Sequence, residues 1–229
     1  MRRCDGTGIR SRLKICRSQG LVGSNPTTGT IKDKAPFNFD LKNLAYIIGV
    51  ALGDGNLSNP NGRAVRLRVT CDLKYPFLIS KIQTALKIAF PNNKVSLVKR
   101  SDHCVDISCF SNKLESLLGW KADLGSKFVQ QAGIPKWIFS NAKYIIPCLR
   151  GLLETDGSIY LDRGYKAVFF TTVIPGLSED FYEMVSILGF NFKRYTIEPK
   201  TNYNSKTRYN LRLTRNVQEF LNLIQPEKI

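Results

Sequence analysis

The chain has 229 residues, 43% of them hydrophobic, and a net charge of +16 from 34 Lys/Arg and 18 Asp/Glu. That length and apolar content suit one large or two small globular domains, and the charge asks for an anionic partner, nucleic acid or an anionic membrane. No stretch approaches the 18 apolar residues of a membrane span, the single histidine (His103) rules out clustered-histidine chemistry, and six cysteines with no CxxC pair rule out a cysteine zinc site.

No apolar core follows the charged N-terminus, so no secretory signal is expected. The cysteines Cys4, Cys16, Cys71, Cys104, Cys109 and Cys148 read as reduced thiols. The expected location is intracellular (cytoplasm, nucleoid or organelle matrix), not secreted and not membrane-bound. Residues 1–35 carry 8 of the basic and 2 of the acidic residues and are rich in Gly, Ser and Thr. They read as a flexible basic arm. The remainder, with 26 basic and 16 acidic residues, is basic in its own right.

In residues 36–120, Asp40 is placed to cap a helix over Leu41–Asp54. A strand and turn follow at Asn56–Asn61. Arg63–Asp72 then alternates with period two: Val65, Leu67, Val69 and Cys71 share one face, Arg66, Arg68 and Thr70 the other. Such a strand rests on a core and offers a basic face outward. Tyr75–Phe90 has helical spacing, with Phe77, Leu78, Ile82, Leu86 and Ala89 as its buried stripe. Lys94–Arg100 and His103–Phe110 read as a hairpin turning at Ser101-Asp102. Val105, Ile107 and Cys109 alternate there with Cys104, Asp106 and Ser108. A short helix near Asn112–Leu118 closes the unit.

Residues 121–140 read as a linker broken by Gly125, Gly133 and Pro135, with Trp137, Ile138 and Phe139 expected in the core. Residues 141–229 repeat the order. Pro147 fits only a first helical turn, which predicts a helix from about Ile145 to Asp156. Strands are expected at Ser158–Asp162 and Lys166–Val173 around a turn at Arg163-Gly164. A helix over Ser178–Leu188 turns Phe181, Val185 and Leu188 inward. The last hairpin, Phe192–Pro199 and Lys206–Thr214, sets Tyr209, Leu211 and Leu213 against Arg208, Asn210, Arg212 and Thr214. Its connection, Lys200–Lys206, is polar and holds Tyr203. Val217–Ile224 ends the chain as a helix.

One stretch recurs. Ile47-Ile48-Gly49-Val50-Ala51-Leu52-Gly53-Asp54-Gly55 nearly repeats 102 positions later as Leu149-Arg150-Gly151-Leu152-Leu153-Glu154-Thr155-Asp156-Gly157. A glycine inside a helix costs about 1 kcal/mol against alanine. Gly49 and Gly151 are therefore expected where two helix backbones touch. Gly55 and Gly157 are expected as left-handed C-terminal caps. Each aspartate then sits at a helix C-terminus, where the dipole is already negative, a placement suited to holding a cation.

These two stretches resemble the paired motifs of the LAGLIDADG homing endonucleases in their single-chain, two-motif form. The resemblance runs from about Phe37 to the C-terminus. It implies an α+β fold of two pseudo-symmetric αββαββα units that form a saddle-shaped DNA-binding surface, with the motif helices packed at the central interface. It implies a sequence-specific endonuclease, encoded by an intron or mobile element, that makes a staggered double-strand break with Mg²⁺ (or Mn²⁺). Asp54 and Asp156 would be catalytic and hold the metal with the carbonyls of Gly53 and Thr155. Lys127, ahead of Ile134-Pro135-Lys136-Trp137, resembles the family's active-site lysine. The expected DNA-contacting residues are Arg63, Arg66, Arg68, Thr70, Lys166, Arg194, Arg208, Asn210 and Arg212. A monomer acting on double-stranded DNA is expected, with intron RNA as a further partner; the alternative is an RNA-binding intron maturase of the same fold. Three features depart from the family pattern. The sixth motif position is Leu52 in one copy and Glu154 in the other, so Leu52 is given no catalytic role and Glu154 a capping or buttressing one. The second unit has no counterpart of Lys127. Residues 1–35 lie outside the resemblance.

Overall fold

The computed structural model describes residues 40–199 and 206–227; the basic arm and Tyr203 lie outside them. The elements run α1 (Leu41–Gly53), β1 (Gly55–Ser58), β2 (Arg66–Asp72), α2 (Pro76–Ala89), β3 (Val95–Lys99), β4 (Cys104–Phe110) and α3 (Leu114–Leu118). A turn of 3-10 helix at Lys136–Ser140 leads into α4 (Ala142–Thr155), β5 (Gly157–Asp162), β6 (Tyr165–Thr172), α5 (Pro175–Ile187), β7 (Phe192–Ile197), β8 (Arg208–Leu213) and α6 (Val217–Ile224). The strands form two four-stranded antiparallel sheets, ordered β1-β2-β4-β3 and β5-β6-β8-β7. The α+β class and the doubled αββαββα order are those expected.

The two motif helices pack along each other at the centre. Leu44 to Leu52 are all buried in α1, as no amphipathic surface helix would be. An added Cβ on Gly49 would lie 2.1 Å from the Cys148 carbonyl oxygen, and one on Gly151 would lie 2.4 Å from the Tyr46 carbonyl oxygen. The glycines therefore sit at a reciprocal backbone contact, as read from the sequence. Asp40 caps α1, its Oδ1 accepting from the amides of Lys42 and Asn43 at 3.0 and 3.3 Å.

The cores of the halves differ in kind. The first is mainly aliphatic, built on Leu67, Val69, Ile82, Leu86 and Ile107. The second is a chain of rings: Phe170 stacks on Phe181 with centroids 4.2 Å apart, Phe181 meets Phe192 edge-on, and Phe192 meets Phe220.

Several expectations need correction. Gly55 and Gly157 have no left-handed backbone; positive φ among the described glycines occurs at Gly62, Gly119, Gly125, Gly164 and Gly189. They open β1 and β5, and a Cβ there would strike the preceding helix, 2.5 Å from Ala51 O and 2.3 Å from Leu153 O. The need is for space where the chain folds back across its own helix. Phe77 is 78% exposed. The buried stripe of α2 is Leu78, Ile82, Ala85, Leu86 and Ala89, and Phe77 lies one residue, about 100°, off it. α4 starts three residues before the predicted Ile145, so Pro147 falls inside the helix. Asn141 holds that start, its side chain accepting from the Lys143 amide at 2.9 Å. Trp137 and Phe139 are half-buried against the core, while Ile138 is fully buried.

Candidate active site and nucleic-acid interface

The site is built where α1 and α4 end. Asp54 and Asp156 are the C-caps of the two helices, with near-identical backbone angles, φ −89° and ψ 1° against φ −91° and ψ 1°. The residues just before them touch: a Cβ on Gly53 would lie 1.9 Å from Thr155 Oγ1. The Thr155 hydroxyl itself turns back and donates to the Gly151 and Leu152 carbonyls at 2.9 and 3.1 Å. The crossing of the helices thus brings the two aspartates to adjoining helix ends, both near enough for their charges to act on Lys127, with Asp156 and not Asp54 lining a cavity there.

Lys127 reaches the same place from the linker. Its Nζ donates to the carbonyl oxygens of Ala51 (3.1 Å), Leu52 (2.6 Å) and Gly53. Three N–H donors on three helix-end carbonyls is the full capacity of an ammonium group, at the negative end of a helix dipole. Burial pulls the Lys127 pKa below the ordinary lysine value, and the charges of Asp156 and then Asp54 push back. A cavity of about 440 Å³ opens here, lined by Gly53, Lys127 and Asp156 together with Thr171, Lys206 and Arg208.

The donor set at this point is oxygen only. Among the described residues no three His, Cys, Asp or Glu side chains cluster, so a cation here would take two carboxylates and complete its shell from carbonyls and water. Hard oxygen donors in an electronegative setting fit Mg²⁺ or Mn²⁺. One assignment meets competition: the Gly53 carbonyl, read as a metal ligand, is occupied by Lys127.

Glu154, in contrast, is remote from solvent at 1% exposure. It accepts from Tyr46 Oη (2.6 Å), Lys81 Nζ (2.9 Å) and the Glu227 amide (2.9 Å). Burial, then the Glu154 charge, drives the Tyr46 hydroxyl pKa far up. Glu154 is a buttress that ties α1, α2, α4 and the C-terminal segment. Leu52 is buried apolar packing.

Strand register sorts the expected DNA contacts. In the first sheet Arg66, Arg68 and Thr70 pair with Phe110, Ser108 and Asp106 and share a face with them. Asp106 organises that face: it accepts from Thr70 Oγ1 at 2.7 Å and lies 3.9 Å from Arg68 and 3.7 Å from Arg100. Arg66 donates to Ser58 Oγ at 3.2 Å. Arg63 is exposed in the loop before β2. In the second sheet Arg208, Asn210 and Arg212 share a face, with Arg212 3.3 Å from Asp162. Arg68 Nε and Asn210 Oδ1 are buried with no hydrogen-bond partner among the described residues.

Two expected contacts lie elsewhere. Arg194 pairs with Leu211 in the register and so points to the helix side, where it binds Glu179 of α5 and lies over the Tyr209 ring. By alternation Lys166 joins Val168 and Phe170 on the core side of β6. The residues that do share the Arg208 face, Lys193 and Tyr195 of β7 and Tyr160 and Phe169 of β5 and β6, were not singled out from the sequence. Counting along β7 from buried Phe192 would have separated Lys193 from Arg194.

Comparison with known proteins bears on this geometry. Residues 144–225 match the LAGLIDADG-like domain family. The homing endonuclease I-DmoI in complex with DNA and Mn superposes with a TM-score of 0.58 at 18% identity, over 80% of this chain and 96% of that one. The N-terminal LAGLIDADG domain of DUF199/WhiA gives 0.53 at 13% identity, over 83% and 86%. Full-length DUF199/WhiA from Thermatoga maritima gives 0.54 at 13%, over 83% and 57%. No curated protein matches the chain by sequence. Residues 144–225 thus match the LAGLIDADG-like domain family, and the chain shares its fold with I-DmoI and with the LAGLIDADG domain of DUF199/WhiA.

Proposed function

We propose that this chain is a sequence-specific homing endonuclease that cuts both strands of a DNA duplex, with a staggered break, by divalent-cation-dependent phosphodiester hydrolysis. The supporting observation is the convergence of Asp54, Asp156 and Lys127 at the touching ends of two helices. Solved complexes of I-DmoI with DNA contain Mn, Ca or Mg, in keeping with an all-oxygen site.

Asp54 and Asp156 would hold the cation, with the Thr155 carbonyl and, once Lys127 has left it, the Gly53 carbonyl. A cation so held supplies Lewis-acid stabilisation of charge on the phosphate and on the departing 3′ oxygen. Two carboxylates at adjoining helix ends are also relieved of mutual repulsion by a positive charge between them. Lys127, with its ammonium already aimed at this point, is placed to donate to a phosphoryl oxygen as negative charge builds there. Arg66 and Arg68 in one sheet, and Arg208 and Arg212 in the other, are placed for phosphate or guanine, and Asn210 for adenine, in the major groove. One chain supplies both halves, so it acts as a monomer.

The test is cleavage of a plasmid carrying the intron-free host locus in Mg²⁺, with an Asp54→Asn, Asp156→Asn double variant alongside. A staggered double-strand break by the parent, absent in the variant, is expected. Salt-sensitive binding to that DNA with no cut by the parent would overturn the nuclease reading and leave a nucleic-acid binder of the same fold; tight binding of intron RNA would then mark a maturase.

A further inference from the structure

The two outward faces differ in chemistry. The first sheet presents Arg66, Arg68, Thr70 and Ser108 around Asp106, with exposed apolar side chains at Val98 on its edge strand and Phe110 at the end of β4. The second presents more apolar surface: Tyr160 is 50% and Tyr195 42% exposed, and Tyr165 and Ile197 share their face at 80% and 48%. Tyr160 stacks on Phe169 with centroids 5.7 Å apart and planes within 2°. Arg212 lies 5.3 Å over Phe169, and Lys193 lies 5.3 Å over Tyr195. The rings are thus held in place, and the face remains basic, with Lys193, Arg208 and Arg212 against Asp162. It runs into the catalytic cavity through Thr171 and Arg208.

Rings exposed on a protein surface cost solvation unless something covers them. The basic side chains among them favour an anionic occupant over an apolar protein. In a DNA duplex the base faces are stacked on one another, so rings cannot stack on them. The one apolar group that the major groove offers is the thymine C5-methyl.

Resting on the DNA-cleaving reading above, we propose that the second sheet recognises thymine methyl groups through Tyr160, backed by Phe169, and through Tyr195. The half-site beneath β5–β8 is then rich in thymine at those positions. The half-site beneath β1–β4 is read chiefly by hydrogen bonds from arginine, threonine and serine and is less sensitive to the methyl.

The full chain is used to select duplexes from a random pool in Ca²⁺. The enriched duplex is rebuilt with deoxyuridine for every thymidine of one half-site, then of the other. Burying one methyl contributes about 0.8 kcal/mol, or about fourfold in affinity. Deoxyuridine in one half-site is expected to weaken binding by about fourfold per contacted methyl, and in the other by less than about twofold. A Tyr160→Ser, Tyr195→Ser variant, changed only at exposed positions, is expected to bind thymidine and deoxyuridine duplexes alike in the sensitive half. Equal sensitivity in both halves, no sensitivity in either, or a variant that keeps it would overturn the inference and leave the nuclease reading standing. Failure to enrich any duplex would overturn both.

Discussion

Replacing Gly151 with alanine tests the arrangement on which everything else depends. The added methyl would lie 2.4 Å from the Tyr46 carbonyl oxygen and 2.7 Å from the Val50 nitrogen. Ordinary contact is at about 3.5 Å, so the helices must part by about 1 Å. Overpacking costs about 1–3 kcal/mol where neighbours can yield, and more where they cannot. Here the neighbours are main-chain atoms of α1 within its buried run Leu44–Leu52, so about 3 kcal/mol is expected, against a gain of about 1 kcal/mol from alanine's helix propensity. The net loss of about 2 kcal/mol or more would appear as a lower urea midpoint with an unchanged slope. Cleavage should fall by about 10²-fold, the effect of a ~1 Å displacement of catalytic groups. Gly176→Ala is the control: nothing lies within 4 Å of its added Cβ, and a gain of up to about 1 kcal/mol is expected. A Gly151→Ala protein at least as stable as the parent would refute the close-contact reading of the motif glycines.

Lys127→Met removes the donors to Ala51, Leu52 and Gly53 and should lower single-turnover cleavage by about 10²–10³-fold, with DNA affinity changed only severalfold. On the proposed function the ammonium is the form that acts, and burial lowers its pKa from the ordinary lysine value of 10.5. Parent activity should therefore fall as pH rises through that lowered value, whereas Lys127→Arg should show no alkaline limb. The stability sign is opposite: the cost of the buried charge is fully present below the folded-state value and is relieved as pH rises from there towards 10.5. Glu154→Gln should cost about 1–3 kcal/mol, and Glu154→Ala more, because it takes the acceptor from the buried Tyr46 hydroxyl and the Glu227 amide while leaving Lys81 only Glu227. Glu154→Gln should keep cleavage close to that of the parent at saturating DNA; loss of cleavage without loss of stability would make Glu154 catalytic.

What the sequence disclosed was periodic or doubled. The strand alternation placed Val65 to Cys71 and Tyr209 to Leu213 on their observed faces, and Arg163-Gly164 turns with φ of 52° and 86°, as a two-residue hairpin requires. The repeated motif placed Gly49 against α4 and Gly151 against α1. The misreadings arose where one residue type serves two physical needs. Gly55 and Gly157 are short of room rather than of φ freedom. Pro147 is held inside α4 by a cap six residues upstream, which a local rule for proline does not weigh. Arg194, expected as a DNA contact, lies on the helix side of β7, one residue out of phase with Lys193 and Tyr195. The Glu154 network joins residues 46, 81, 154 and 227, separations that no local pattern spans.

The structure also shows why the two halves agree at the centre and diverge outside it. The glycine contact is reciprocal: Gly49 meets the backbone of Cys148 and Leu152, and Gly151 meets that of Tyr46 and Val50. A side chain on either glycine displaces both helices, so the two motifs constrain each other, and each half places its aspartate at the same helix end with the same backbone angles. No such coupling acts on the outer faces, and one carries an arginine and Asp106 network while the other carries tyrosines. It does not act on the cap either. The end of α1 is closed by Lys127, whereas the last turn of α4 is closed in part by its own Thr155 hydroxyl. On the proposed function, this difference between the two helix ends gives the two strands of a duplex different partners, and the strand whose phosphate lies beside Lys127 is the one cut first.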